Sequence, residues 1–426
     1  MVSVCFYFQV HQPLRLGKYK LFDIGYHKNY YNDKKNLEVL QKVANKCYIP
    51  ANRLMYHLIN EHPDFKISYS FSGVLLEQLQ QNYPEALQSF QELVDTGNVE
   101  LLAETYYHSL AFLYSKNEFD EQVALHRKKI KDLFGAKHNP KVFRNTELIY
   151  NNELAKHIEN LGYKGILAEG ADHILNWRSP NFVYRPIQTN NIRLLLKNYK
   201  LSDDIAFRFS SKDWKEYPLT AEKFGSWVSS VNGSGTNVNL FMDYETIGEH
   251  QWASTGIFNF LKNLPKEIKN HPDNNFATPS ELIKKYQPVA ELDVHNFVSW
   301  ADVERDLSAW LGNNMQKLSV GHLYMMEQEI RDSGDKKLLE DWRRLQISDH
   351  FYYMCTKWFS DGDVHKYFNP YDRPHDSFIS FINILNDMEI RLKKLKAEKA
   401  NALSAPALNA PMLSAPRLGK QIFDRI

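Results

Sequence analysis

The stretch NVNLFMDYETIGEH, residues 237–250, decides how the chain is read. Its first half is a near-continuous apolar run of strand length. That is the pattern of a strand buried on both faces in a parallel sheet, whereas a half-exposed strand would alternate apolar and polar residues. Its second half sets Asp243, Glu245, Glu249 and His250 directly behind that strand, where a purely structural turn would carry glycine or asparagine. Ionisable groups at a strand exit point to chemistry at that end of the sheet.

Outward from this stretch the same kind of run recurs: VSVCFYFQV (2–10), FKISYSF (65–71), VELLAET (99–105), KVFRN (141–145), KGILAEG (164–170) and IRLLLKN (192–198). Amphipathic segments such as NLEVLQKVANKCYIPANRLMYHLIN, PEALQSFQELVD and FDEQVALHRKKIKDLFG lie between them. Short buried strands alternating with helices predict an α/β fold with a parallel sheet, and seven such units predict a barrel rather than an open sheet. In FATPSELIKKY (276–286), Thr278 can cap a helix that Pro279 begins, and Glu281 completes a capping box. From about 313 to 398 the periodicity becomes helical throughout, in MQKLSVGHLYMMEQEI, DKKLLEDWRRL, SDHFYYMCTKWF and FISFINILNDMEIRLKKLKAEK. The expected organisation is a catalytic barrel over 1–312, a helical region over 313–398 that completes the site, and an Ala/Pro-rich tail over 399–426 that repeats LSAP. The DGD at 361–363 lacks the other ligands of a calcium loop and reads as a turn.

Charge excludes some partners. Lys and Arg number 52 against 51 Asp and Glu, so no net field favours nucleic acid or an anionic membrane. No apolar run approaches the roughly 18 residues of a membrane span, and the N-terminus lacks the basic start of a signal peptide. Cys5, Cys47 and Cys355 are scattered and form no CxxC pair, which predicts neither a disulfide framework nor a cysteine metal site. A soluble cytoplasmic protein in a reducing interior is expected. Aromatic residues make up 13%, with 24 Tyr and 25 Phe. They serve a large core, and some of them are suited to stack on the apolar faces of sugar rings.

In a parallel α/β sheet or barrel the ligand site lies at the carboxyl ends of the strands. The exits here are His11-Gln12-Pro13, Phe71-Ser72-Gly73, Glu100 and Glu104, Asn145-Thr146-Glu147, Glu169 to His173, and Asp243-Tyr244-Glu245. At any one exit a helix cap or a solvated loop end explains a carboxylate as well as catalysis does. Carboxylates at four exits on one face are harder to explain so, because unpaired like charges repel. Glycoside hydrolysis needs two carboxyl groups, one held as an acid and one as an anion, and Glu147 and Asp243 are the candidates. Glu245 beside Asp243 would raise its pKa and help it to hold a proton.

Other chemistries fit less well. None of the 16 His residues has another His four positions on, so HExxH and HxxxH are absent and zinc hydrolysis is disfavoured. No GxSxG elbow, GxxxxGK[ST] loop or GxGxxG fingerprint occurs, against serine-hydrolase, nucleotide and dinucleotide readings. Trp252 and Trp300 are candidate sugar platforms or core residues. In HNFVSWADVERDLSAWLGN (295–313), Asp302, Glu304, Arg305 and Asp306 stand at helical spacing, which predicts a helix with internally paired charges. Arg208 is expected to pair with Asp203 or Asp204.

The chain resembles family 57 of the glycoside hydrolases, and its α-amylase branch in particular. The resemblance rests on HQP (11–13), GNVELLAETYYHS (97–109), FRNTELIYNNELA (143–155), FMDYETIGEHQW (241–252) and SDHFYYM (348–354), in the family's order. HNFVSWADVERDLSAWLGN and LSDDIAFRFS (201–210) look like the α-amylase branch. The resemblance implies an incomplete seven-unit (β/α) barrel followed by a C-terminal helical region, acting on α-glucans with retention and without a metal or other cofactor. Glu147 then falls at the nucleophile, on the fourth strand, and Asp243 at the acid/base, on the seventh. His11, Glu100, Glu245 and Asp349 fall at positions that hold sugar hydroxyls, and Trp252 is carried with them as substrate-binding. The partner implied is an α-glucan or maltooligosaccharide. The activity implied is α-amylase-like cleavage of α-1,4 bonds, with glucan transfer by the same two residues, or glucan binding without catalysis, as the alternatives. Retention predicts the two carboxyl groups about 5–5.5 Å apart.

Overall fold

A computed structural model describes residues 1–26, 28–357 and 369–404. The DGD at 361–363 and the LSAP repeats of the tail lie outside the described residues.

Strand β1 (Val2–Val10) is buried along its whole length. It can be, because it is flanked on both edges and covered on both faces. On one edge it pairs in parallel with β2 (Ile67–Phe71) and, lower down, with Asn274–Phe276; on the other it pairs with β7 (Asn237–Asp243), Gln9 standing opposite Asp243. β3 (Val99–Leu101) lies beside β2, and a bridge from Ala103 to Phe143 carries the sheet to β4 (Val142–Arg144). β5 (Gly165–Glu169) and β6 (Arg193–Lys197) continue in parallel. Between β6 and β7 the described residues form no ladder. Asn198 donates its backbone N–H to Asn239 at 2.9 Å, and the Asn239 amide donates to the Leu196 carbonyl at 2.8 Å. The result is an incomplete (β/α)7 barrel whose seam is held by an asparagine side chain.

Alternation along the strands builds two separate cores. From β1, Val4, Phe6, Phe8 and Val10 point outward to the helices, whereas Cys5 and Tyr7 point into the barrel with Leu102, Val142, Leu167, Leu195 and Phe241. The next inward residue of β1 is Gln9 and of β7 is Asp243, and both line the cavity above that core. Hydrophobic filling thus supports the polar residues from below.

The first helical stretch, read in the sequence as continuous, is broken in two. Helices Asp33–Val43 and Ile49–Glu61 are joined by a π-turn over Ala44–Tyr48. The capping box at Thr278 and Glu281 is present, opening the helix Pro279–Lys285. Helices Asn314–Met325, Glu327–Ser333, Lys336–Arg344, Ser348–Tyr352 and Pro374–Ser404 follow the barrel. They surround a core that includes Trp310, Trp342, Phe351 and Phe381. Charged side chains fasten this layer to the barrel: Glu118 receives Arg331 at 2.5 Å and Arg343 at 3.0 Å. No helix among the described residues is long and apolar enough to cross a membrane.

The segment 295–307 departs from expectation. It is irregular rather than helical; only Ser308–Leu311 forms a turn of helix. Val298 pairs with Tyr150, and Asp302 and Arg305 adopt left-handed backbone at φ 57° and 54°. Tertiary bonds override the local charge spacing here: Arg305 reaches Glu169 at 3.3 Å and Asp203 at 3.4 Å instead of pairing along a helix.

Candidate active site

A cavity of about 920 Å³ opens at the carboxyl ends of the strands. Its lining includes His11, His108, Glu147, Asp243, Glu245, Trp300 and, from the helical layer, Asp349 and Tyr352. The volume falls at the upper end of the range of about 300–1,000 Å³ typical of ligand pockets.

Glu147 leaves β4 on a tight 3₁₀ turn, Thr146–Leu148. Glu147 and Leu148 both have left-handed backbone, at φ 57° and 51°, a strain of about 1–3 kcal/mol per residue that persists only where neighbours enforce it. Thr146 meets Thr105 at the exit of the neighbouring strand at 3.0 Å, and Trp300 donates its backbone N–H to the Glu147 carbonyl at 3.2 Å. The side chain is equally fixed. The Trp300 indole N–H donates to Oε2 at 2.7 Å, and His108 Nε2 lies 3.2 Å from Oε1. Burial opposes the charge of Glu147, yet His108 and Arg144 hold its carboxyl below the usual range.

Asp243 moves the opposite way. Burial first and the Glu147 charge second push its pKa up to about 6. Two carboxyl groups in one cavity, one held anionic and the other raised so that it keeps part of its proton at mildly acidic pH, are pushed apart in the direction that acid and nucleophile roles require. Glu245, buried and near Asp243, is pushed up to about 8; the Tyr48 hydroxyl donates to it at 2.5 Å and Gln12 at 3.4 Å. The π-turn is what aims Tyr48 at this carboxyl.

His11 ends β1 with both nitrogens engaged, Nδ1 to the Ser72 hydroxyl at 2.6 Å and Nε2 to Asp349 at 3.0 Å. Burial and the neighbouring His108 lower its pKa, whereas Asp349 is held below the usual carboxylate range, burial being outweighed by His11. Asp349 comes from the helical layer, which is docked here: Ser348 donates its backbone N–H to the His108 carbonyl at 3.0 Å, and Ser109 bridges Ile347.

Two of the expected binding residues lie elsewhere. Glu100 does not line the cavity. It sits inside β3 and accepts from the Ser280 backbone N–H at 2.8 Å and from the Ser280 hydroxyl, capping the helix Pro279–Lys285. Trp252 is 54% exposed, outside the cavity lining, with Lys46 over its ring. Trp300 is in the site, its ring packed under Arg144 at 4.9 Å. Of the other groups behind β7, Glu249 is fully buried and paired with Lys42 at 2.6 Å, while burial lowers His250 to about 4. Arg208 pairs with Asp204 at 2.6 Å.

Sequence reasoning missed His108 and passed over Glu104. Glu104, four residues beyond Glu100, accepts from Gln9 at 3.1 Å and faces His108 Nδ1 at 3.1 Å. The signal was the Glu-x-x-x-His spacing in ETYYH, immediately after the third strand. Lys197 and Arg305 form a second charged wall with Glu169 and Asp203. Among the described residues no group of three or more His, Cys, Asp or Glu side chains is arranged to hold a metal ion.

Comparison with known proteins agrees with this architecture. The family model "Glycosyl hydrolase family 57" matches residues 5–295. A protein of Methanocaldococcus jannaschii named "Putative alpha-amylase" is 46% identical over 93% of this chain and 86% of its own length. "Alpha-amylase 1" of Dictyoglomus thermophilum is 22% identical over 72% of this chain, which spans 47% of that longer protein. The crystal structure of a GH57-type branching enzyme from Pyrococcus horikoshii superposes with a TM-score of 0.68 at 15% identity, covering 94% of this chain and 91% of the other, and so shares the fold.

Proposed function

Because the chain belongs to glycosyl hydrolase family 57, we propose that it cleaves α-1,4-glucosidic bonds in α-glucans with retention, Glu147 acting as nucleophile and Asp243 as acid/base. The observation that carries this reading is the divergence of the two carboxyl groups in one cavity, Glu147 lowered and Asp243 raised to about 6.

The steps follow from those protonation states. Asp243 donates its proton to the glycosidic oxygen as the C–O bond breaks, and the Glu147 carboxylate bonds to the anomeric carbon. The glycosyl-enzyme is then hydrolysed: Asp243, now a carboxylate, takes a proton from water as the water oxygen displaces Glu147. His11 with Asp349, and Glu245 as a neutral acid able to donate, would bind sugar hydroxyls beside the reacting bond. The helical region 313–398 would complete the site, since Asp349 and Tyr352 come from it. The relative named "Putative alpha-amylase", at 46% identity, supports an α-glucan as substrate.

The test is the size distribution and anomeric form of products from maltoheptaose and soluble starch, for wild type, Glu147→Ala and Asp243→Ala. Shorter α-anomeric products that vanish in both variants are expected. Products longer than the substrate would assign glucan transfer by the same residues. Unchanged turnover in a folded Glu147→Ala variant would refute the reading.

A further inference from the structure

We propose that His108 is a positioning residue of this site: a permanent imidazolium, clamped between Glu104 and Glu147, that keeps the nucleophile anionic and aimed. The inference deepens the proposed function, and its central observation is geometric. Both ring nitrogens face carboxylate oxygens, Nδ1 to Glu104 at 3.1 Å and Nε2 to Glu147 at 3.2 Å. A neutral imidazole has one donor and one acceptor nitrogen, so with two anionic partners one contact would be lone pair against lone pair. A doubly protonated ring satisfies both.

The surroundings keep Glu104 ionised and the ring immobile. Gln9 donates to Glu104 Oε1 at 3.1 Å, Arg144 lies 4.0 Å from Oε2, the oxygen that faces His108, and the Glu104 backbone N–H donates to His126 Nδ1 at 3.5 Å. Glu104 is held down at about 2, its burial outweighed by His108, Arg144 and His126. On the opposite face the His11 ring stacks on His108 with centroids 4.0 Å apart; His11 is turned toward Asp349 and Ser72, so it does not compete for Glu104 or Glu147. Asp243 and Asp349 complete the charged groups that feel the ring. Despite burial, its carboxylate partners raise His108 to about 9. His108 itself has left-handed backbone at φ 50°, and its carbonyl accepts the Ser348 N–H, so the ring is fixed from the main chain outward.

The consequence for the chemistry is a division of labour. Glu104, out of reach of the reacting carbon behind the ring, supplies the charge that the ring needs, and the ring passes its effect to Glu147. When Glu147 becomes an ester, Glu104 still balances His108, so the imidazolium need not release its proton during the cycle.

Histidine-labelled ¹⁵N NMR of the intact wild-type protein tests the charge without any substrate. Both His108 nitrogens should be protonated at pH 7.5, and in Glu104→Gln the ring should titrate at lower pH. A neutral His108 ring in the wild type at pH 7.5 overturns the proposal. His108→Asn, which tolerates left-handed backbone, tests the effect on Glu147. Its carboxyl titration, read by ¹³C NMR, should move up by about 1–3 pH units on loss of an adjacent cation. The acid limb of kcat/KM should move with it. An unmoved Glu147 titration in the folded variant would reduce His108 to a packing residue. Both NMR measurements stand even if the substrate is not an α-glucan, so the two readings fail separately.

Discussion

Replacing Asp243 by Asn removes the proton that the proposed reaction donates while leaving shape almost unchanged. With its pKa near 6, Asp243 is half protonated at pH 6 and about one-tenth protonated at pH 7. The sign is that of an acid needed in its protonated form: activity is present below the raised pKa and lost above it. Wild-type kcat/KM should therefore fall about tenfold per pH unit above 6. In Asp243→Asn that limb should disappear, and turnover of maltoheptaose should drop by about 10²–10⁴-fold, or about 2.7–5.4 kcal/mol of transition-state stabilisation. The assay compares maltoheptaose with an α-glucoside carrying a dinitrophenyl leaving group, whose departure needs no proton. Glycosylation of the activated substrate should survive the substitution, and added azide should accelerate release of the glycosyl group, since no base is needed to activate it. Equal losses on both substrates, or a surviving limb near pH 6, would refute the assignment of Asp243.

Trp300→Phe keeps the ring beneath Arg144 but deletes the 2.7 Å donor to Glu147, so the pKa of the Glu147 carboxyl should rise. A hydrogen bond to a charged group is worth about 1.5–3 kcal/mol, and the acid limb of kcat/KM should move up by about 1–2 pH units; an unmoved limb would show that the indole N–H is dispensable. Glu100→Gln should cost about 1 kcal/mol as a weakened helix cap and leave kcat/KM unchanged, whereas Glu104→Gln should lower kcat/KM; the reverse pattern, read by thermal melts and initial rates, would restore Glu100 to the site. Trp342 is fully buried and donates to the Leu323 carbonyl at 2.7 Å, so Trp342→Ala should cost about 3–5 kcal/mol in urea unfolding. Because the helical layer carries Asp349 into the cavity, activity should fall as that layer loosens; full activity with a lowered urea midpoint would separate the layer from the site.

The class of fold was legible in the chain because a strand covered on both faces must be apolar along its length, and seven such runs stand between amphipathic segments. VSVCFYFQV and NVNLFMD are adjacent strands in the barrel, and His11 behind the first and Asp243 and Glu245 at the exit of the second reach the cavity where strand direction requires. Glu147 and Asp243 could be picked out for the same reason: a strand exit is a local feature. What sequence could not decide was which neighbour each polar group would meet. Glu100 and Glu104 are both acidic residues at one strand, yet the first faces a helix end and the second the site, because the chain leaves the β-ladder between them. The 295–307 segment has helical charge spacing worth a few tenths of a kcal/mol per pair, which buried bonds from Arg305 to Glu169 and Asp203 outweigh. Trp252 and Trp300 are alike in sequence, but one is left half-exposed and the other is drawn onto Glu147. The protonation states belong wholly to the tertiary structure. Asp243 is raised toward neutrality because folding buries it near Glu147, and His108 is raised because two carboxylates from the exits of different strands close on one ring.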